Sequence, residues 1–173
     1  MASRKSSLVA IVVGSDSDLE ILQGAVEQLR EFGIDPVVRI ISAHRTPQVA
    51  AEFAESALGD GIRVIIAAAG MAAHLAGALA SRTTLPVIGV PLAAEPSLGG
   101  LDALLSTVQM PGGVPVASMA IGKAGPKNAA LFAVQILALT DKGLQEKLMR
   151  FREAQARTVV EKDAARSQAA PRL

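Results

Sequence analysis

The sequence predicts an α/β protein in which one parallel sheet is covered by helices on both faces. Three observations carry that expectation. Apolar runs of strand length recur at residues 8–13, 37–41, 64–69, 86–90 and 116–121. The runs are apolar on both faces, as strands of a sheet covered on both sides are. Segments with helical spacing separate the runs, and strictly alternating strands and helices build parallel neighbours.

The elements follow in order. The first strand ends at Gly14, and Ser17 with Glu20 forms a capping-box pattern for the first helix. Asp18 falls in the first turn, where a negative charge suits the helix dipole. Leu22, Val26 and Leu29 recur on one face, and Gly33 is a natural stop. After the second strand, Thr46 is the expected N-cap and Pro47 the first helical residue. Val49, Phe53, Ala57 and Leu58 form the expected buried stripe of that helix, which ends at Gly59-Asp60-Gly61. A third helix is expected from about Ala72 to Arg82, and Leu85-Pro86 opens the fourth strand.

The stretch 91–115 is punctuated by proline and glycine, with a short helix expected over Leu101–Val108. So long a connection in a compact domain is functional or lies at an interface. Lys123-Ala124-Gly125-Pro126 then leads into an almost wholly apolar helix, Asn128–Leu139. Such a helix must be buried on every side, and the expected cover is another subunit. A final charged helix begins near Thr140-Asp141, with Leu144, Leu148 and Phe151 as its stripe. The expected plan is a flexible N-terminus over 1–7, a single domain over 8–160 and a frayed tail over 161–173.

Composition narrows the function. The 173 residues suit one domain with one core, and half of them are apolar. There is no Trp or Tyr, so stacking on nucleobases is a poor expectation. A net charge of +1 gives no electrostatic footprint for nucleic acid or an anionic membrane. Any bound anion must be caught by local geometry. The absence of cysteine excludes disulfides, thiolate nucleophiles and cysteine-ligated metals, and is compatible with a reducing cytoplasm. Neither a signal peptide nor a membrane span is expected.

Polar loops follow the first three apolar runs. In open α/β sheets, ligands bind beyond the carboxyl ends of the strands, so these loops share one crevice. In Gly14-Ser15-Asp16-Ser17-Asp18, the hydroxyls and free N–H groups can cradle an anion, and Asp18 can accept from ribose hydroxyls. A plainer reading is that Ser17 and Asp18 only cap a helix. In Ser42-Ala43-His44-Arg45-Thr46-Pro47, Arg45 offers a planar fork that matches phosphate, and His44 can exchange protons near neutrality. In Gly70-Met71-Ala72-Ala73-His74, a turn of small residues precedes the only other histidine. His74 is either part of the crevice or a satisfied side chain of the third helix. Two histidines without cysteines or paired carboxylates make a poor metal site. Neither a P-loop nor a dinucleotide fingerprint is present.

These loops, with Ala72-Ala73-His74-Leu75, Val108-Gln109-Met110-Pro111 and Ala120-Ile121-Gly122-Lys123-Ala124-Gly125, resemble the AIR carboxylase family of purine biosynthesis, and most of all its class I branch. The likeness runs from about Leu8 to Arg152, with the motifs in order. It implies a flavodoxin-like three-layer α/β/α sandwich that assembles as a cytoplasmic homo-octamer. The implied reaction is an isomerisation. A carboxylate moves from the exocyclic nitrogen of N5-carboxyaminoimidazole ribonucleotide (N5-CAIR) to ring carbon C4, without metal, ATP or organic cofactor. By the same resemblance His44 is the catalytic acid/base. Ser15, Asp18, Ser42 and Arg45 bind substrate, and Gly70, Ala73, His74 and Leu75 lie beside the base and carboxylate. The family often has a glycine-rich run before its Ala-Ala-His and a proline after the leucine, where this chain has Ala68, Met71 and Ala76. Two other readings stay open. A class II relative carboxylates aminoimidazole ribonucleotide directly with carbon dioxide. A nucleotide-binding regulatory module would need the anion cradle but not His44.

Overall fold

The computed structural model describes residues 7–93 and 98–169. Its elements are β1 (Val9–Val13), a 3-10 turn (Asp16–Asp18), α1 (Leu19–Glu31), β2 (Val37–Ile40), α2 (Pro47–Ser56), β3 (Val64–Gly70), α3 (Leu75–Ala80), β4 (Val87–Leu92), α4 (Leu101–Val108), β5 (Ala117–Ser118), α5 (Ala124–Ala138) and α6 (Lys142–Ala169). The strands form one five-stranded sheet in the order β2-β1-β3-β4-β5, with every pairing parallel. This is the flavodoxin-like order, in which the chain reverses direction between β1 and β3 and opens a crevice there.

Two cores sandwich the sheet, because successive strand residues point to opposite faces. Val9, Ile11 and Val13 join Leu22, Ala25 and Leu29 of α1 and the small residues of α5. Ala10 and Val12 join Ala50 and Ala54 of α2 and Leu75, Ala76 and Leu79 of α3. A Cβ on Gly89 would strike Thr107 of α4, so glycine lets that helix lie close on β4.

Several local expectations shift, each for a packing reason. Of the expected α2 stripe, Ala57 is buried and Phe53 packs partly on the core, whereas Val49 and Leu58 are exposed and Ala50 and Ala54 are buried in their place. Alanines let the helix approach the sheet closely, so the larger side chains turn outward. β2, which carries Arg39 among three apolar residues, lies at the sheet edge, where all four of its residues are exposed. α3 starts at Leu75 rather than Ala72, because the chain first winds through tight turns in which Ala73 N–H reaches the Met71 carbonyl and His74 N–H the Ala72 carbonyl. Only Ala117 and Ser118 of the fifth apolar run are in strand register with β4, although Met119 N–H still reaches the Gly89 carbonyl. α5 begins at Ala124 rather than Asn128, since Gly125 and Pro126 fit within its first turn.

The apolar helix α5 finds much of its cover inside the chain. Ala129, Ala130, Ala133, Val134 and Leu137 are buried, and Leu131, Phe132 and Ile136 pack partly against the same core. Leu144, Leu148 and Phe151 of α6 join that core. Phe151 meets Phe32 edge-on at 5.6 Å between ring centroids, and Lys147 Nζ donates to the Phe32 carbonyl at 2.8 Å. Beyond Phe151 the helix continues to Ala169, where the sequence reading placed a frayed tail from 161. The segment 153–169 has no glycine or proline to stop it. Residues 1–6 and 170–173 lie outside the described residues. Among the described residues no helix is long and apolar enough to cross a membrane.

Candidate active site

The loops after β1, β2 and β3 meet at the carboxyl edge of the sheet around a cleft of about 430 Å³. Gly14, Ser15, Ser17 and Asp18 come from the first loop, Ser42 to Arg45 from the second, and Ala69, Gly70, Met71, Ala72 and Leu75 from the third. A second lobe of about 480 Å³ continues from it, sharing Gly14, Ser15, Ser42 and Arg45 and adding Asp16, Ile40 and Thr46. Arg45 therefore stands where the two lobes join.

In the first loop, the capping box does not form. Asp16 accepts from Ser17 N–H at 3.0 Å and from the Ser15 hydroxyl at 3.1 Å, which winds a 3-10 turn ahead of the helix. Ser17 Oγ donates to Ser15 Oγ at 3.0 Å instead of capping. Asp18, at the junction with α1, is buried. Burial, aided by the Asp16 charge, pushes its carboxyl above the ordinary range, against the lowering effect of the Ser15 backbone, the Ser17 side chain and the Arg45 charge. The sequence reading placed a ribose acceptor here, and the cleft does present Asp18.

The second loop is laced to itself. Thr46 Oγ1 accepts from Ser42 N–H at 3.1 Å and donates to the Ser42 carbonyl at 2.9 Å. Ser42 Oγ in turn accepts from the Arg45 backbone N–H at 3.2 Å and from Arg45 Nε at 3.3 Å. Arg45 also donates from its terminal nitrogen to the Gly14 carbonyl at 2.9 Å, tying the second loop to the first. Its remaining donors stay free to face a ligand in the joined lobes.

His44 and His74 come together across 30 residues of sequence. His44 Nε2 lies 3.0 Å from His74 Nδ1, with the rings edge-on at 5.1 Å between centroids. One of these nitrogens donates and the other accepts. His44 lines the cleft, whereas His74, at the start of α3, is not among its lining residues and meets it only through His44. Ala73 is buried and does not line the cleft, while Gly70 and Leu75 line it directly. Met71 also lines it, with a left-handed φ of 55° that is uncommon outside glycine. Asp16 and Thr46 were not among the sequence-selected site residues. Both sit in the quoted motifs, but hydroxyl and carboxylate bonding within a loop is invisible without coordinates. Among the described residues no group of three or more histidines or carboxylates could hold a metal ion.

The fold and cleft define a class: a doubly wound α/β protein with a polar crevice at its switch point, lined by hydroxyls, a guanidinium and the His44 imidazole. Comparison with known proteins narrows it. A family model described as AIR carboxylase matches residues 8–158. A Saccharolobus solfataricus protein named N5-carboxyaminoimidazole ribonucleotide mutase is 54% identical over 145 residues, covering 84% of this chain and 90% of its own. Proteins of the same name from Bacillus subtilis and Escherichia coli are 53% and 50% identical, covering 89% and 93% of this chain and 94% and 95% of their own. The crystal structure of Treponema denticola PurE superposes with a TM-score of 0.81 at 29% identity, over 92% of this chain and 98% of that one. The chain belongs to the AIR carboxylase family.

Proposed function

We propose that the chain catalyses the N5-carboxyaminoimidazole ribonucleotide mutase reaction, moving the carboxylate of N5-CAIR from the exocyclic nitrogen to C4. The observation that carries this reading is the meeting of His44 with Ser15, Ser42 and Arg45 in one cleft whose far wall is Ala69, Gly70 and Ala72. Named relatives about half identical to the chain support the same reaction.

In this reading Arg45, Ser15 and Ser42 hold the phosphate, and Asp18 orders the ribose. Protonated His44 gives its proton to the exocyclic nitrogen, and the carbon–nitrogen bond breaks to release carbon dioxide. C4 attacks the carbon dioxide, and His44 takes the proton that C4 loses. One proton enters and one leaves, so a single imidazole serves both steps. The small side chains of the third loop leave room for carbon dioxide, and a closed pocket keeps it from escaping. His74, bonded to His44, fixes the imidazole's orientation from outside the cleft lining. No metal, ATP or organic cofactor takes part in this scheme.

We further propose a homo-oligomer, an octamer by family resemblance, acting in the cytoplasm. Every side chain from Arg152 to Ser167 is exposed, and a helix with no packing partner is marginal alone. Val37, Val38 and Ile40 leave an apolar edge that a second copy could cover. Residues 8–160 act as the single domain in this proposal.

The test supplies N5-CAIR in one assay and aminoimidazole ribonucleotide with ample bicarbonate in another. Efficient turnover in the first alone supports the mutase. Comparable efficiency in the second at modest carbon dioxide overturns it. Sedimentation of a well-behaved monomer at micromolar concentration would remove the oligomer.

A further inference from the structure

We propose that Thr46 is a positioning residue of this site, acting through Ser42 on His44 and Arg45. The inference rests on the mutase reading for its kinetic consequence, but not for its geometry. From sequence, Thr46 is a helix cap. It does occupy the N-cap position of α2, with Pro47 directly after it, yet its side chain makes no capping bond to the helix. A residue before proline is driven away from helical ψ, and Thr46 has φ −134° and ψ 56°. That backbone turns the hydroxyl back toward the loop.

The hydroxyl then does two jobs at one residue. It accepts the Ser42 N–H and donates to the Ser42 carbonyl, at 3.1 Å and 2.9 Å. The Thr46 backbone N–H also reaches the Ser42 carbonyl at 2.8 Å. Residues 42 and 46 are thus closed into a ring, and Ala43, His44 and Arg45 form its arc. The loop needs such a closure, because it grows from the exposed edge strand β2 and has a neighbour on one side only. Ser42 passes the constraint on, since its Oγ receives both the backbone N–H and Nε of Arg45. With the ring intact, the His44 ring meets His74 and the Arg45 fork spans to Gly14. Without the hydroxyl only the backbone bond still closes the ring, both side chains lose part of their anchoring, and misplacement of about 1 Å at a reacting group can cost on the order of 100-fold in rate.

The test compares Thr46→Val with Thr46→Ser in the full chain. Valine keeps the β-branched shape and removes the hydroxyl, whereas serine keeps the hydroxyl. Three measurements are made on each: amide hydrogen exchange of the peptide containing Ser42, steady-state kinetics with N5-CAIR, and thermal unfolding. Thr46→Val is expected to speed exchange at Ser42, lower kcat by about 10- to 100-fold and raise KM, with the melting temperature little changed. Thr46→Ser is expected to restore slow exchange and most of kcat. Faster exchange with unchanged kinetics in Thr46→Val would overturn the positioning role. Equal kinetic loss in both variants would also overturn it, because the hydroxyl would not be the cause. Failure of the unmodified chain to turn over N5-CAIR would sink the mutase reading instead, and the exchange comparison would still decide whether Thr46 closes the loop.

Discussion

β1 and β2 lie side by side, with Val12 beside Arg39 and Val13 beside Ile40, and each ends in a polar loop that feeds the same cleft. They are supported differently. β1 is flanked by β2 and β3, and all five of its residues are fully buried. β2 has β1 on one side only, and Val37, Val38 and Ile40 are 38%, 40% and 52% exposed. The loop after β1 inherits its position from a rigid strand and can use its hydroxyls and carboxylates freely. The loop after β2 must fix itself, through Ser42 and Thr46, and lean on the first loop through Arg45. The His44 imidazole, in the loop after the less supported strand, is held by its hydrogen bond to His74 rather than by burial.

The largest effect expected falls on the second loop. His44→Asn should lower kcat by about 10²- to 10⁴-fold, the usual span for removing a general acid/base, with KM little changed. Because His44 is exposed, thermal unfolding should move little. A variant with near-normal kcat would take His44 out of the chemistry and leave the β2 loop a binding element only.

The strands themselves give the next contrast. Ile11→Ala in β1 should destabilise by about 2–5 kcal/mol, since it opens a cavity in a packed core. Ile40→Ala in β2 should cost under about 1 kcal/mol for an uncovered edge. Denaturant unfolding of both variants checks the difference. A large and protein-concentration-dependent cost at Ile40 would instead mean that a second copy covers β2.

Arg45→Lys tests the tie between the loops. Lysine keeps the charge but loses the planar fork. A hydrogen bond to a charged group is worth about 1.5–3 kcal/mol, so KM should rise about tenfold or more with a smaller change in kcat. Unchanged binding by calorimetry would move the phosphate elsewhere.

The smallest effect is expected at Asp18, in the first loop. Its raised pKa means that the folded chain holds the proton more tightly than the unfolded chain. The contribution is favourable below the ordinary carboxylate range and is lost as pH rises through the raised value. Asp18→Asn should remove that slope and slightly raise the melting temperature at neutral pH, while weakening substrate binding. Melting curves taken from the ordinary carboxylate range up to neutral pH would contradict this if the two proteins ran parallel.

Much of the site was legible because its signals are local. Gly14 and Ser42 each follow an apolar run, so their place at the carboxyl edge follows from strand direction. His44, Arg45 and Ser15 could be picked out by residue type and position. In the α2 stripe Ala57 and Phe53 pack on the core as expected, but Ala50 and Ala54 take the buried places where size alone favours Val49 and Leu58. Size favours burial in general, but close helix–sheet approach favours alanine here. The reading of Ser17 as a cap failed because Asp16 competes for the same turn, a contest between neighbours that pattern matching does not weigh.

By itself the sequence determined the alternation of strands and helices, the parallel sheet and the chemical groups that follow each strand. Those depend on side-chain periodicity and on backbone preferences of proline, glycine and hydroxyl residues, which act over a few positions. Only the tertiary structure decided that β2 would be the exposed edge, that Asp18 would be buried, and that His44 would meet His74 30 residues away. It also decided that Arg45 would reach Gly14 and that α5 would be covered by α6. Each of these is set by strand order and by packing between segments distant in sequence, and no local window contains both partners.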